Sequence, residues 1–257
     1  AVDALVAQIC DGAPIYDFIA DDGIGHTVWA VTDGEIVARL RGAFEAVPAL
    51  YVADGHHRSA SAFRFRNNLR AKNPAHTGAE PYNHFLAVVF PDNQLRIMAY
   101  NRVLRDLNGH TRESLLAAIG ERFIVAPADT AEPPEPRQFG MYLDGEWRRL
   151  TAKAGTFPEN DPVKSLDVAI LQDNLLAPIL GVQDPRTDER IDFVGGIRGT
   201  KELERRCAED MKIAFAFYPT GVDQLMAIAD AGEVMPPKST WFEPKLRSGV
   251  VVRSLKD

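Results

Sequence analysis

The apolar residues of this chain come in runs the length of a β-strand, such as Phe85-Leu86-Ala87-Val88-Val89-Phe90 and Ile213-Ala214-Phe215-Ala216-Phe217-Tyr218. Crossing a bilayer takes roughly 20 such residues in a row, so none of these runs spans a membrane. Between them lie glycine- and proline-marked breaks, and segments whose apolar residues recur at helical spacing. The alternation predicts an α+β protein with mixed and antiparallel sheets and flanking helices. At 257 residues the chain can bury a core without covalent staples.

Read in order, Leu5, Val6 and Ile9 share one helical face, and strands follow at 15–20 and 26–31. Asp33 caps a helix through Phe44 that Pro48 closes. A short buried strand at 49–53 runs into Asp54-Gly55-His56-His57-Arg58, after which residues 59–69 carry a helix stopped by Asn73-Pro74. Residues 84–90 read as a buried strand, 91–94 as a turn and 95–100 as its antiparallel return. Thr111 caps a helix that turns Leu115, Leu116 and Ile119 inward. Pro127, Pro133, Pro134 and Pro136 mark a loop at 127–137 between an N-terminal region, 1–126, and a C-terminal region, 138–257, which can pack as a single domain. Beyond it come a hairpin at 138–150 with an Asp144-Gly145 turn, a helix over 165–170, a strand at 190–194, and a helix from Thr200. A strand at 213–218, a helix over 222–231 and a closing strand at 249–252 complete the series. The first ten residues lack an initiator Met and a basic stretch, and begin like a helix already under way, which suggests that residues have been removed upstream.

The sharpest chemical signal is Asp54-Gly55-His56-His57-Arg58 at a strand-to-helix junction. A helix start offers unpaired backbone N–H groups, and two imidazoles and a guanidinium add donors at the same place, which suits an oxyanion such as phosphate. From Gly55 to Ala79 the chain carries Arg58, Arg64, Arg66, Arg70 and Lys72 and no acid, whereas residues 1–50 carry eight acids against Arg39 and Arg41. The overall charge is −7, so the basic segment is an island, and a large nucleic-acid interface is disfavoured. Asp54 beside a phosphate site is placed to hold Mg²⁺ or to cap its own helix, and both remain open. Lys238, Ser239 and Thr240, on the stiff Met235-Pro236-Pro237 turn, are candidates for a ligand wall or for a structural turn. Gly195-Gly196-Ile197-Arg198-Gly199-Thr200 lacks the spacing of a dinucleotide fingerprint, although Arg198 ahead of a helix could touch an anion. His76 and His110 have nothing nearby to support an acid–base role, and surface positions are expected for both. Cys10 and Cys207 are too far apart for a thiolate site, and two cysteines fit a reducing compartment, so the cytoplasm is expected.

Tyr51-Val52-Ala53-Asp54-Gly55-His56-His57-Arg58, with Tyr82-Asn83-His84-Phe85, Phe193-Gly195-Gly196 and the stretch from Met235 to Lys245, resembles the domain of unknown function 1015 family. Members of that family extend further at the N-terminus, beginning with a segment that includes a Pro-Pro-Tyr-Asp stretch. The Asp-Gly-His-His-Arg junction is also similar to the nucleotide-phosphate motif of the ParB/sulfiredoxin superfamily, some of whose members phosphorylate free serine. That similarity implies an anion site of that kind at the junction, in which Gly55, His56, His57 and Arg58 hold the phosphates of ATP or ADP. Asp54 and His57 are then the catalytic candidates, with Mg²⁺ on Asp54. The expected activity is a nucleotide-dependent phosphotransferase, a kinase acting on a small hydroxyl-bearing metabolite such as free serine. The alternative is a regulatory module that binds a nucleotide or phosphorylated metabolite without turnover. Apolar strands needing cover on both faces point to a homodimer.

Overall fold

A computed structural model describes residues 1–254. These form two units, Ala1–Ser59 and the chain from Ala60 onward.

The first unit holds α1 (Val2–Cys10), β1 (Tyr16–Ile19), β2 (Gly25–Val28), α2 (Gly34–Glu45) and the start of α3 (His56–Lys72). β1 and β2 pair as an antiparallel hairpin. Asp33 caps α2 as expected, its Oδ1 accepting the N–H groups of Glu35 and Ile36 at 2.9 Å. Ala20 is the one buried hydrophobic residue described in this unit, while Ile19 and Leu50 are 78% and 64% exposed.

The second unit continues with β3 (Arg96–Met98), β4 (Tyr100–Leu104), α4 (Arg112–Arg122), β5 (Phe123–Pro127), β6 (Gln138–Leu143) and β7 (Glu146–Ala152). Then follow α5 (Asp167–Leu171), β8 (Ile191–Gly195), α6 (Lys201–Glu209), β9 (Ile213–Phe217), α7 (Val222–Asp230) and β10 (Trp241–Glu243). Six strands make one sheet in the order β5-β7-β6-β9-β4-β8, and every neighbouring pair is antiparallel. The fold class is therefore α+β with antiparallel sheets and flanking helices, as the sequence predicts.

Strand alternation sorts the side chains of this sheet into two layers. Phe139, Met141 and Leu143 of β6 and Ile213, Phe215 and Phe217 of β9 meet Leu115 and Ile119 of α4, Ile228 of α7, and Val168, Ile170 and Leu171 of α5. Ala214, Ala216 and Val103 face the other way, onto Leu203 of α6 and Met211. β9 is thus buried on both faces, by helices of its own chain. β6 and β7 meet at the expected Asp144-Gly145 turn, where both residues adopt positive φ.

Three expected strands are absent. Residues 49–53 and 84–90 form no strand, and 249–252 passes through a turn and a bend. In the stretch at 84–90, Phe85 and Val88 are 53% and 56% exposed, contrary to the buried strand its composition suggests. The reason is pairing. The expected return strand is split and pairs elsewhere, β3 with β10 and β4 with β8 and β9 on its two edges, and 84–90 joins neither sheet. Likewise the helix expected from Ser59 already begins at His56, and that expected over 165–170 runs from Asp167 into a π-helical turn, Gln172–Leu176.

Candidate functional site

Gly55 adopts φ +80°, a left-handed conformation that glycine reaches without steric penalty, and this turns the chain from the 49–53 segment into α3. The Ser59 N–H donates to the Gly55 carbonyl at 2.9 Å, closing the first helical turn. The Asp54 carboxylate folds onto the same turn, its Oδ1 accepting the Gly55 N–H at 2.8 Å. His56, His57 and Arg58 are exposed, and no acid occupies the first turn of α3. The Arg58 guanidinium lies back across the turn, since a Cβ built on Gly55 would sit 2.9 Å from its Nη2. Arg58 forms no ion pair among the described residues, and the helix ends in Arg70 and Lys72, where cations complement its dipole. The turn therefore presents exposed imidazole and guanidinium donors at the start of the helix, beside the Asp54 carboxylate.

Lys238, Ser239 and Thr240 lie in the second unit and are held by its own contacts. Lys238 takes φ +57° and places Nζ 5.4 Å from the centre of the Tyr100 ring. Ser239 is buried and spends its hydroxyl on the Pro236 carbonyl at 2.6 Å, while its own carbonyl accepts from Thr220 Oγ1 at 3.4 Å. Beside them Trp241 stands edge-on to Tyr100 and lies flat enough on Gly195 that a Cβ there would meet its ring at 2.6 Å. Segments far apart in sequence, Gly195-Gly196 and Met235–Lys245, are thus brought together around β4. The strand that brings them together, β10, carried no signal beyond three residues between a Lys-Ser-Thr turn and a proline.

His76 is not at the surface as expected. Its side chain is 18% exposed, with Nδ1 2.9 Å from the Tyr82 hydroxyl and 3.0 Å from Glu80 Oε2. Glu80 also accepts the Thr77 N–H, which with the other donors of its loop holds its carboxyl down to about 2. These bonds tie a loop together and leave little free for a ligand. Among the described residues no group of three or more His, Cys, Asp or Glu side chains could hold a metal ion. A divalent ion on Asp54 would have to take its remaining ligands from nucleotide phosphates and water, which is how Mg²⁺ is commonly bound. Among the described residues no helix is long and apolar enough to cross a membrane.

Comparison with solved structures finds loose likenesses. A conserved hypothetical protein from Pyrococcus furiosus matches with TM-score 0.36 and 13% identity over 59% of this chain, which spans 57% of that protein. Free serine kinase in complex with AMP gives TM-score 0.36 and 12% identity over 94% of this chain and 78% of its own. A variant of free serine kinase bound to ADP gives TM-score 0.36 and 11% identity, over 94% and 79%. Likenesses this loose carry no argument about this chain's chemistry. None of the curated proteins matches. The family model described as "Protein of unknown function (DUF1015)", by contrast, matches residues 1–169, more than half of the chain and all of the Asp54–Arg58 turn, and the chain belongs to that family.

Proposed function

We propose that the Asp54–Arg58 turn binds the phosphates of a nucleotide, ATP or ADP, and that the protein transfers a phosphoryl group to a small hydroxyl-bearing metabolite such as free serine. The observation that carries this reading is the helix start itself: a left-handed Gly55, an acid-free first turn and an exposed Arg58 that forms no ion pair among the described residues. Phosphoryl transfer demands positioning and charge neutralisation more than covalent help. The bond from the terminal phosphorus to the nucleotide breaks as the substrate oxygen bonds to phosphorus, and the hydroxyl proton passes to Asp54 or His57. Mg²⁺ held on Asp54 and the phosphates would neutralise the charge that develops.

One observation favours binding without turnover. Asp54 Oδ1 is engaged by the Gly55 N–H, and Asp54 is the one acid between residues 54 and 79. A regulatory nucleotide site needs no base.

Titration with ATP, ADP and CTP, with and without Mg²⁺, tests both readings. Arg58→Ala removes a charge-assisted contact worth about 1.5–3 kcal/mol, so affinity should fall about ten- to a hundred-fold. Its urea midpoint should not move, because Arg58 is exposed and forms no ion pair among the described residues. Arg70→Ala, at the other end of α3, should change affinity less than a few-fold. Equal affinities for wild type and Arg58→Ala would refute the site. Turnover with a panel of hydroxyl compounds separates the transferase from the regulatory module.

A further inference from the structure

We propose a second small-molecule site, wholly within the second unit, in a cavity of about 240 Å³ between the end of the six-stranded sheet and the start of α6. Its ligand is a small metabolite with a carboxylate or phosphate at one end and a hydrogen-bond donor at the other.

Four independent features meet there. The first is a buried amide. Asn101 is 3% exposed and lines the cavity; its Oδ1 accepts the Phe217 N–H at 3.1 Å, while its Nδ2 makes no hydrogen bond to protein among the described residues. The amide N–H₂ of this otherwise buried side chain is thus a donor that a ligand oxygen can take up. The second is the start of α6. Gly196 fits tightly under β4, its N–H donating to the Ala99 carbonyl at 2.7 Å, and Gly199 turns the chain at φ +70°. Thr200 then opens the helix with no capping bond from its side chain, and Gly199 and Thr200 both line the cavity, which places the positive end of the helix at its wall. Arg198, flanking this start, is drawn toward Glu202 at 3.7 Å and is not needed for the site.

The third feature is a pair of opposite charges on the rim. Arg96 of β3 and Glu132 both line the cavity, and neither side chain has an ion-pair partner among the described residues. Arg96 and the helix start favour the anionic end of a ligand, and Glu132 favours a donor at the other end. The fourth is the proline-rich loop, which has a definite place. The Arg149 guanidinium ties down the Thr130 and Glu132 carbonyls, each at 2.9 Å, and the Ala131 carbonyl lies over Gly140 of β6. That anchoring sets Glu132 and the buried Pro133 on the cavity wall. The prolines stiffen the wall in advance, lowering the ordering cost of binding.

Backbone amide NMR of the intact protein, titrated with inorganic phosphate and with acetate, separates this site from the Asp54–Arg58 turn. Binding here should shift the amides of Gly196–Glu202; binding at the turn shifts Gly55–Ser59. Arg96→Ala, at an exposed position, should weaken the Gly196–Glu202 response at least several-fold. Asn101→Asp, which keeps the acceptor for Phe217, should weaken it at least ten-fold by placing a carboxylate against the anion. Glu132→Gln should strengthen it, which loss of a merely structural role would not do. All three should leave the Gly55–Ser59 response unchanged. A preference for phosphate or for acetate would identify the ligand's anionic group. Amides at 196–202 that stay still at 10 mM of both anions, or that respond identically in all three variants, would overturn the proposal, whatever happens at the turn.

Discussion

A Cβ on Gly140 would lie 1.9 Å from the Ala131 carbonyl oxygen and 3.2 Å from the Trp147 ring, and backbone cannot move aside as a flexible side chain can. Gly140→Ala should therefore cost about 3 kcal/mol or more in urea unfolding. Gly120, inside α4 with nothing within 4 Å of its missing Cβ, is the opposite case, and Gly120→Ala should gain about 0.5–1 kcal/mol. A midpoint lowered by both substitutions would contradict this packing. Asp167 supplies a pH signature at the same scale. Its Oδ1 accepts the Arg137 N–H at 2.8 Å, its Oδ2 is buried without a partner, and burial pushes its carboxyl up to about 7. Between about pH 4 and 7 the folded chain thus holds a proton that the unfolded chain has lost. Stability from this group is fully present below about pH 4, declines as pH rises through about 7, and is flat above, a change on the order of a few kcal/mol. Asp167→Asn keeps the acceptor for Arg137 and should flatten the urea midpoint between pH 5 and 8. An unchanged slope would mean that Asp167 is solvated. Nothing in the sequence marks Gly140 or Asp167, because each depends on a loop contributed from elsewhere in the chain, whereas Gly55 was legible because its role is set by its immediate neighbours.

Elements whose stability is local were the ones readable in advance. The caps at Asp33 and Thr111 and the Asp144-Gly145 hairpin lie within a few residues of what they organise. β9 was legible too, since an apolar run covered on both sides needs only to find neighbours. The run at 84–90 has the same composition and found none, which shows that an apolar run alone does not distinguish a central strand from an unpaired segment. The contrast is measurable. Val88→Ser, at a residue 56% exposed, should change stability by no more than about 0.5 kcal/mol, whereas Phe215→Ala, at a residue with no exposure, should cost about 3–5 kcal/mol. Comparable losses for the two would place 84–90 in a core. The candidate site divides along the same line. The Asp54–Arg58 turn could be read because its donors are consecutive, but the cavity at α6 draws on β3, β4, the proline-rich loop and the Gly196–Thr200 turn. Its visible trace was Gly195–Thr200, a glycine-marked turn ahead of a helix, while Asn101, between Tyr100 and Arg102, carried no signal.

At the scale of the molecule, burial is distributed very unevenly. The larger hydrophobic cluster joins the sheet to α4, α5 and α7, the smaller one joins it to α6, and all of their residues lie beyond Ala60. In the first unit no residue of α1, β1, β2 or α2 is buried. Local opening is cheapest where backbone hydrogen bonds are exposed and few apolar contacts must be broken. Native-state hydrogen exchange of the intact chain should therefore report two levels of protection. Amides of β4, β6 and β9 should exchange only through global unfolding, with free energies that match the urea value and fall together as denaturant is added. Amides of the β1–β2 hairpin and α2 should exchange through local opening, several kcal/mol below that value and nearly independent of denaturant. A nucleotide bound at the Asp54–Arg58 turn should slow exchange at the start of α3 in proportion to RT ln(1 + [L]/Kd), about 2.7 kcal/mol at a hundred-fold excess over Kd, and leave β6 and β9 unchanged while opening remains local. Equal protection across β2 and β9 would show that the first unit is stabilised to the same degree as the six-stranded sheet, and would remove the basis for treating its turn as an independently responsive binding element.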